Sequence, residues 1–266
     1  MVAPGRRPAP FHVKPRAAGV LERDLTESLS TLTRRYSLGA GAQAQLSGLL
    51  RALVEDPLAS TSIRDPRRVL EDHLADSLVA LELHEVRDAG LIADLGAGAG
   101  VPGLPLAIAL PQARVSLVES SARKCEFIVR AIQACGLVNA AAVNTRAEAW
   151  PGGLERFDLI TARAVAPLAV VAEYGAPLLR LDGALLAWRG RLDPDEDRSA
   201  RRASAELGLE MADAVRVEPY RGALSRHLQL MVKIAPTPER FPRRAGMARK
   251  RPLGAAPRPS SDRWRR

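Results

Sequence analysis

The stretch Leu91-Ile-Ala-Asp-Leu-Gly-Ala-Gly-Ala-Gly-Val-Pro-Gly-Leu-Pro-Leu106 decides how this chain folds. Leu91 to Leu95 is a short apolar run with the length of a buried strand and a single acid, Asp94, near its end. Gly96, Gly98, Gly100 and Gly103 follow, and Leu104, Leu106, Ile108 and Leu110 then read as the apolar residues of a helix. Strand, glycine loop and helix in that order is how an α/β sheet presents a nucleotide-like ligand, outside the carboxyl end of the strand. Glycine suits such a loop because it enters the left-handed region and lets a ligand approach the backbone with no Cβ in the way. The acid narrows the ligand. A pyrophosphate is held by helix N–H groups and gains little from a neighbouring carboxylate. A ligand with a cationic amino-acid end and no phosphate does gain from one. S-adenosylmethionine fits that description, with Asp94, Gly96, Gly98 and Gly100 as its expected contacts.

Downstream of this stretch, strands and helices alternate. Residues 114–118 predict a second strand, and Ser121 to Cys135 a helix whose buried face carries Cys125, Ile128, Val129 and Ile132 and which Gly136 stops. Strands are expected over 140–144, 157–162 and 183–188, with helices over 167–179 and 198–207. Two last strands, near 210–217 and 227–234, have no helix between them, so they pair antiparallel. The expected fold is α/β and Rossmann-like: a mostly parallel seven-stranded sheet, covered on both faces, with a C-terminal antiparallel hairpin.

Upstream the period is helical. Leu21, Leu25, Leu29 and Leu32 share one face; Leu46, Leu49, Leu50, Leu53 and Val54 mark a second helix. Asp65-Pro66 caps a third, with Val69, Leu70, Leu74, Leu78 and Leu81 on its apolar face. The chain therefore divides into a disordered basic arm over 1–18, an N-terminal helical cap over 19–88, a sheet domain over 89–235 expected to hold S-adenosylmethionine, and a basic Pro/Arg-rich tail over 236–266 with little regular structure.

Composition bounds the rest. The chain of 266 residues is 47% apolar, enough for a sizeable core, and has no apolar run long enough to span a membrane. The first residues carry Arg6, Arg7, Lys14 and Arg16 without a following apolar segment, which is not a secretory signal. Two cysteines, Cys125 and Cys135, share one predicted helix and make neither a disulfide nor a metal pattern. A cytoplasmic monomer without metal or membrane partner is the expectation. The net charge of +9 sits at the ends: residues 240–266 hold ten Arg or Lys and one acid. Such ends are either solvated or neutralise phosphates.

Single residues then carry the chemistry. Glu119 ends the second strand, where a doubly wound fold places the acid that accepts both ribose hydroxyls. Arg146-Ala147-Glu148 follows the third strand, in the loop that lies over the base. Arg163 ends the fourth strand and faces the same crevice, toward a cofactor carboxylate or an RNA phosphate, or else toward Asp158 or Glu148 as an ion pair. Arg189-Gly190 and Arg226-His227 rim the same side. His73 is the one histidine in a patterned helix, a position more often structural than catalytic.

Together these residues resemble the RsmG (GidB) family of bacterial small-subunit rRNA guanine-N7 methyltransferases. The resemblance runs from about Thr61 to Leu253. It is carried by Ser62-Ile-Arg-Asp-Pro66 with His73 and Asp76-Ser77, by Asp94 to Gly103, by Glu119-Ser-Ser-Ala-Arg-Lys124, by Arg146-Ala-Glu148, by Arg163-Ala-Val-Ala166, and by Phe241-Pro-Arg-Arg-Ala-Gly with Lys250-Arg-Pro-Leu253. The resemblance implies a class I S-adenosylmethionine-dependent methyltransferase. It implies transfer to N7 of a guanine in the decoding-region loop of 16S rRNA, with the rRNA or the small ribosomal subunit as partner. It further implies cofactor contacts at Gly96, Val101, Ala147, Glu148 and Arg163. The family usually has Lys-Gly where this chain has Arg189-Gly190, so a planar fork replaces a point charge.

Guanine N7 has a free lone pair, so no catalytic base is expected and positioning carries the rate. Arg163, Arg189, Arg226 and His73 are the candidates for RNA contact, and Arg189→Ala is expected to cut methylation with cofactor affinity nearly unchanged. Aromatic content is only 4%, so stacking surfaces are few. The alternatives are a different RNA acceptor, a nicotinamide-dependent oxidoreductase through the formal G-x-G-x-x-G of Gly98 to Gly103, or a non-enzymatic RNA-binding protein.

Overall fold

A computed structural model describes residues 15–255, with side chains from Arg23 onward. Residues 1–14 of the expected arm and 256–266 of the expected tail lie outside the described residues; from Pro15 the chain is already helix. Among the described residues no helix is long and apolar enough to cross a membrane.

Helices α1 (Pro15–Arg35) and α2 (Ala42–Glu55) come first. Asp65 then accepts the Arg68 N–H at 2.9 Å and opens α3 (Pro66–Val69), as the Asp-Pro cap requires. The expected third helix is one helical run, but it is not regular. A π turn over Leu70–Ala75 follows α3, then α4 (Asp76–Leu78) and a 3₁₀ turn over Val79–Glu82. Every residue from His73 to Leu81 is buried, so the run is enclosed on all sides rather than along one stripe. A short α5 (His84–Arg87) leads into the sheet.

Strand β1 (Leu91–Leu95) is followed by α6 (Gly103–Ala109), β2 (Arg114–Glu119), α7 (Ala122–Ala134), β3 (Ala140–Asn144) and β4 (Phe157–Arg163). Next come α8 (Leu168–Gly175), β5 (Leu179–Arg189), α9 (Pro194–Leu207), β6 (Leu209–Met211), β7 (Val215–Arg216), β8 (His227–Lys233) and α10 (Met247–Lys250). The order across the sheet is β3-β2-β1-β4-β5-β8-β6, with β7 also on β8. Strands β1 to β5 are parallel, and β8 runs antiparallel to β5, β6 and β7. The strand expected over 210–217 is thus two pieces on one partner, which makes seven positions out of eight strands. Strand β5 starts earlier than the apolar pattern shows, because a register break opposite Phe157 and Leu159 takes up the extra residues.

The strands alternate their side chains between two cores. Ile92, Leu159, Ala184 and Leu186 face a core shared with the N-terminal helices, α6 and α7. Ala93, Leu95, Ile160, Ala162, Leu185 and Ala187 face the core under α8, α9 and the C-terminal segment. The helices expected as a cap therefore supply one layer of the sheet domain itself.

The order of strands reverses between β1 and β4, and such a reversal opens a crevice at the carboxyl edge. Register places Leu95 beside Val118 and Ala162, and Glu119 beside Asn144. Gly96, Glu119, Thr145 and Ala164 consequently leave their strands along one line.

Candidate active site

The glycine loop is built from behind. Asp94 is 1% exposed. One carboxylate oxygen accepts the Gly103 N–H at 3.0 Å and the other the Thr161 hydroxyl at 2.9 Å. Burial pushes its carboxyl up to about 7, against these two hydrogen bonds. A Cβ on Gly103 would lie 2.9 Å from that carboxylate, so only glycine allows α6 to begin this close. Gly100 is also packed: a Cβ there would meet Leu104 at 2.4 Å. Val101 is buried in the core beneath the N-terminal helices. Asp94, Gly100 and Val101, expected as ligand contacts, thus stand behind the loop and hold its shape. The helix N-terminus that a pyrophosphate would need already holds the chain's own carboxylate.

Gly96 is the member of the loop that is exposed, with φ +64. It opens onto a cleft of about 450 Å³ whose lining includes Glu119, Lys124, Arg146, Ala147, Glu148 and Val165. That volume lies in the range of small-molecule sites. Gly98 turns its N–H to Glu119 at 3.1 Å, and Ser121 N–H bonds the other oxygen of Glu119 at 2.9 Å. Two backbone donors therefore fix a carboxylate whose remaining acceptor capacity lies at the cleft, with the Lys124 ammonium 3.9 Å away. A glycine backbone laid bare at one end, a fixed carboxylate at the middle and the 3₁₀ turn Ala147–Ala149 at the other end fit a nucleoside carrying an amino-acid arm. Glu148 is not free there, since it accepts the Gly246 N–H at 3.0 Å from the C-terminal segment.

A second cleft, of about 480 Å³, adjoins the first across Ala164, which lines both and holds φ +55. Its walls include His73, Asp76, Arg163, Trp188, Arg189 and Arg226. Arg163 does not face the first cleft. It donates to Asp76 at 3.0 Å, to the Asp72 carbonyl at 2.9 Å, and lies 3.0 Å from His73 Nδ1. Nδ1 also lies 3.1 Å from the Asp72 carbonyl, and Nε2 is 2.8 Å from the Thr61 hydroxyl. Burial and then the Arg163 charge hold His73 down at about 4, hence neutral. Burial raises the Asp76 carboxyl against the pull of Arg163 and Arg226. The ion-pair alternative for Arg163, with Asp158 or Glu148, gives way to a pair with Asp76, which directly follows the π turn.

Arg226 is tied in the same way, at 3.0 Å from Asp72 and 3.3 Å from Asp76. Arg189 has a nearly buried side chain at 3.1 Å from Glu196 and 2.6 Å from Asp197, in the first turn of α9. The three arginines expected to meet RNA are thus paired with carboxylates. Their charges hold the end of the sheet to its helices, which only the fold brings together. Three residues that the sequence reading passed over complete the site: Thr161 on Asp94, Trp188, which donates to the Asp76 carbonyl at 2.6 Å, and Arg249 in the first cleft. In the sequence Thr161 shows only as an oxygen two residues before Arg163 and Trp188 as an aromatic residue before Arg189, while Arg249 falls in the stretch read as a tail.

Residues 46–228 match the model of a family described as GidB, rRNA small subunit methyltransferase G. The chain is 39% identical over 259 residues to the ribosomal RNA small subunit methyltransferase G of Rubrobacter xylanophilus, covering 95% of this chain and 96% of that one. It is 41% identical over 242 residues to the protein of the same name from Chloroflexus aggregans, covering 88% and 99%. Among solved structures, a mutant of MtNAS shares the architecture with a TM-score of 0.50 at 15% identity, over 83% of this chain and 81% of that one.

Proposed function

The chain belongs to the rRNA small subunit methyltransferase G (GidB) family, and on that premise we propose that it transfers the methyl group of S-adenosylmethionine to N7 of a guanine in the decoding-region loop of 16S rRNA. The observation that carries this reading is the pair of clefts at the carboxyl edge, one nucleoside-sized and one open, meeting at Ala164. Glu119 accepts the ribose hydroxyls, the Ala147–Ala149 turn borders the base, and Gly96 lets the amino-acid arm approach the backbone. Bound there, S-adenosylmethionine supplies an activated methyl group.

The acceptor enters the second cleft. Guanine N7 offers its lone pair without prior loss of a proton, so the residues of this chain align rather than abstract. His73 is held neutral and hydrogen-bonded on both nitrogens, which suits a positioning role and not a proton shuttle. Trp188 gives the cleft an aromatic wall on which an unpaired base stacks. With Arg163, Arg189 and Arg226 paired internally, RNA phosphates fall to exposed cations at the rim: Arg191, and Arg68, which pairs with Asp72 at 3.0 Å but leaves its side chain 63% exposed. The enzyme acts in the cytoplasm as a monomer on the rRNA or on the small subunit.

Purified protein, methyl-labelled S-adenosylmethionine and small subunits from cells lacking the protein test this. Label in one N7-methylguanine of the decoding region is expected. Label at another atom, or none on either subunits or free 16S rRNA, refutes the acceptor.

A further inference from the structure

The C-terminal segment from residue 236 onward was expected to be a tail; its described part is packed onto the sheet domain. Phe241 and Ala248 are buried in the core under α8 and α9. Arg243 makes a two-pronged contact with Glu173 of α8, whose side chain is 3% exposed. Arg202 of α9 donates to the Gly254 carbonyl at 2.9 Å, and a Cβ on Gly254 would collide with the Ser199 carbonyl. Between these two anchors the segment passes over the nucleoside-sized cleft. Gly246 N–H bonds Glu148, and Arg249 donates to the Val165 carbonyl at 2.8 Å. Arg249 and Tyr174 line that cleft together with Ala147 and Glu148.

We propose that this strap is a wall of the cofactor cleft, and that Arg249 contacts the adenosine half of bound S-adenosylmethionine. The inference rests on the cofactor reading above. The strap meets the cleft at Glu148, through Gly246, and at the Val165 carbonyl, through Arg249; Glu148 belongs to the turn that borders the base. The adenine ring is neutral and flat, and a planar guanidinium stacks on such a face. Two anchors, at Glu173 and at α9, hold the arginine in place before the ligand arrives.

The test titrates the full chain with S-adenosylhomocysteine and with 5′-methylthioadenosine, which lacks the amino-acid arm. Arg249→Ala is expected to weaken both ligands roughly five- to twentyfold, while the unliganded melting temperature moves little, because the bond it deletes, to the Val165 carbonyl, is made by an exposed side chain. Arg249→Lys is expected to restore little, since an ammonium has no stacking plane. Either ligand is expected to slow tryptic cleavage after Arg249 and Lys250 in the wild-type chain. Equal affinities in wild type and Arg249→Ala overturn the proposal. So does a penalty seen with S-adenosylhomocysteine alone, which would put the arginine at the amino-acid end. A wild-type chain that binds neither ligand overturns the cofactor reading itself, and this inference with it.

Discussion

Removing the Arg163 guanidinium separates two accounts of that residue. The resemblance makes it a cofactor contact; the fold makes it the link between β4 and the π turn. Arg163→Met keeps the aliphatic stem and deletes two donated bonds, to Asp76 and the Asp72 carbonyl, and the 3.0 Å contact with His73. Asp76, with a side chain 8% exposed, keeps only Arg226 at 3.3 Å. Breaking a fully buried pair costs about 3–5 kcal/mol. Here Arg226 remains, and a carboxyl whose pKa burial already raises takes up a proton, so the loss is about 2–3 kcal/mol. For a chain of this size that lowers the melting temperature by about 5–10 °C. Asp76→Asn alone, and the double variant, complete a cycle with an expected coupling of about 1–2 kcal/mol. The assay is urea unfolding followed by tryptophan fluorescence, with S-adenosylhomocysteine titrated into each variant. Affinity is expected to fall by less than about threefold, because the side chain points into the neighbouring cleft. A variant that keeps its stability within about 0.5 kcal/mol but loses about tenfold or more in affinity refutes the reasoning.

Gly96→Ala would place a Cβ 2.9 Å from Val165 at φ +64, so stability is expected to fall by about 1–2 kcal/mol and S-adenosylhomocysteine binding by about tenfold or more, read by calorimetry. Stability should depend on His73: its pKa is about 4 in the folded chain and 6.5 when free, so the unfolded chain binds the extra proton between those values. The stabilisation is full above about pH 6.5 and is lost as pH falls toward 4; His73→Gln, compared with wild type in thermal melts across that window, should flatten this slope, and parallel slopes would contradict it. Arg189→Ala is now expected to cost about 2–3 kcal/mol, because it leaves Glu196 and Asp197 without their shared cation, and to reduce methylation through that loss. Arg189→Lys, keeping the charge, should recover most of the melting temperature.

The parallel order of β1 to β5, the crevice and the place of Glu119 were legible in the sequence, because each depends on short-range pattern. Apolar runs set the strands, glycines set the loop, and the count from loop to acid follows from the length of one strand–helix–strand unit. The Asp65-Pro66 cap was legible for the same local reason. What only the tertiary structure decided is which charges meet. Arg163, Asp76 and Arg226 lie far apart in the chain, and a π turn that leaves no trace in the apolar spacing rotates Asp72, His73 and Asp76 toward the sheet edge. Asp94 read as a ligand contact because its neighbours suggested one, yet its two partners, Thr161 and Gly103, come from another strand and from the next helix. The C-terminal segment read as a tail because it is basic and rich in proline. Its anchor, Glu173, sits 70 residues upstream of Arg243. Local pattern sets where elements begin and end; pairing between distant charges is fixed only when the elements pack, since Coulomb attraction acts on distance in space and not along the chain.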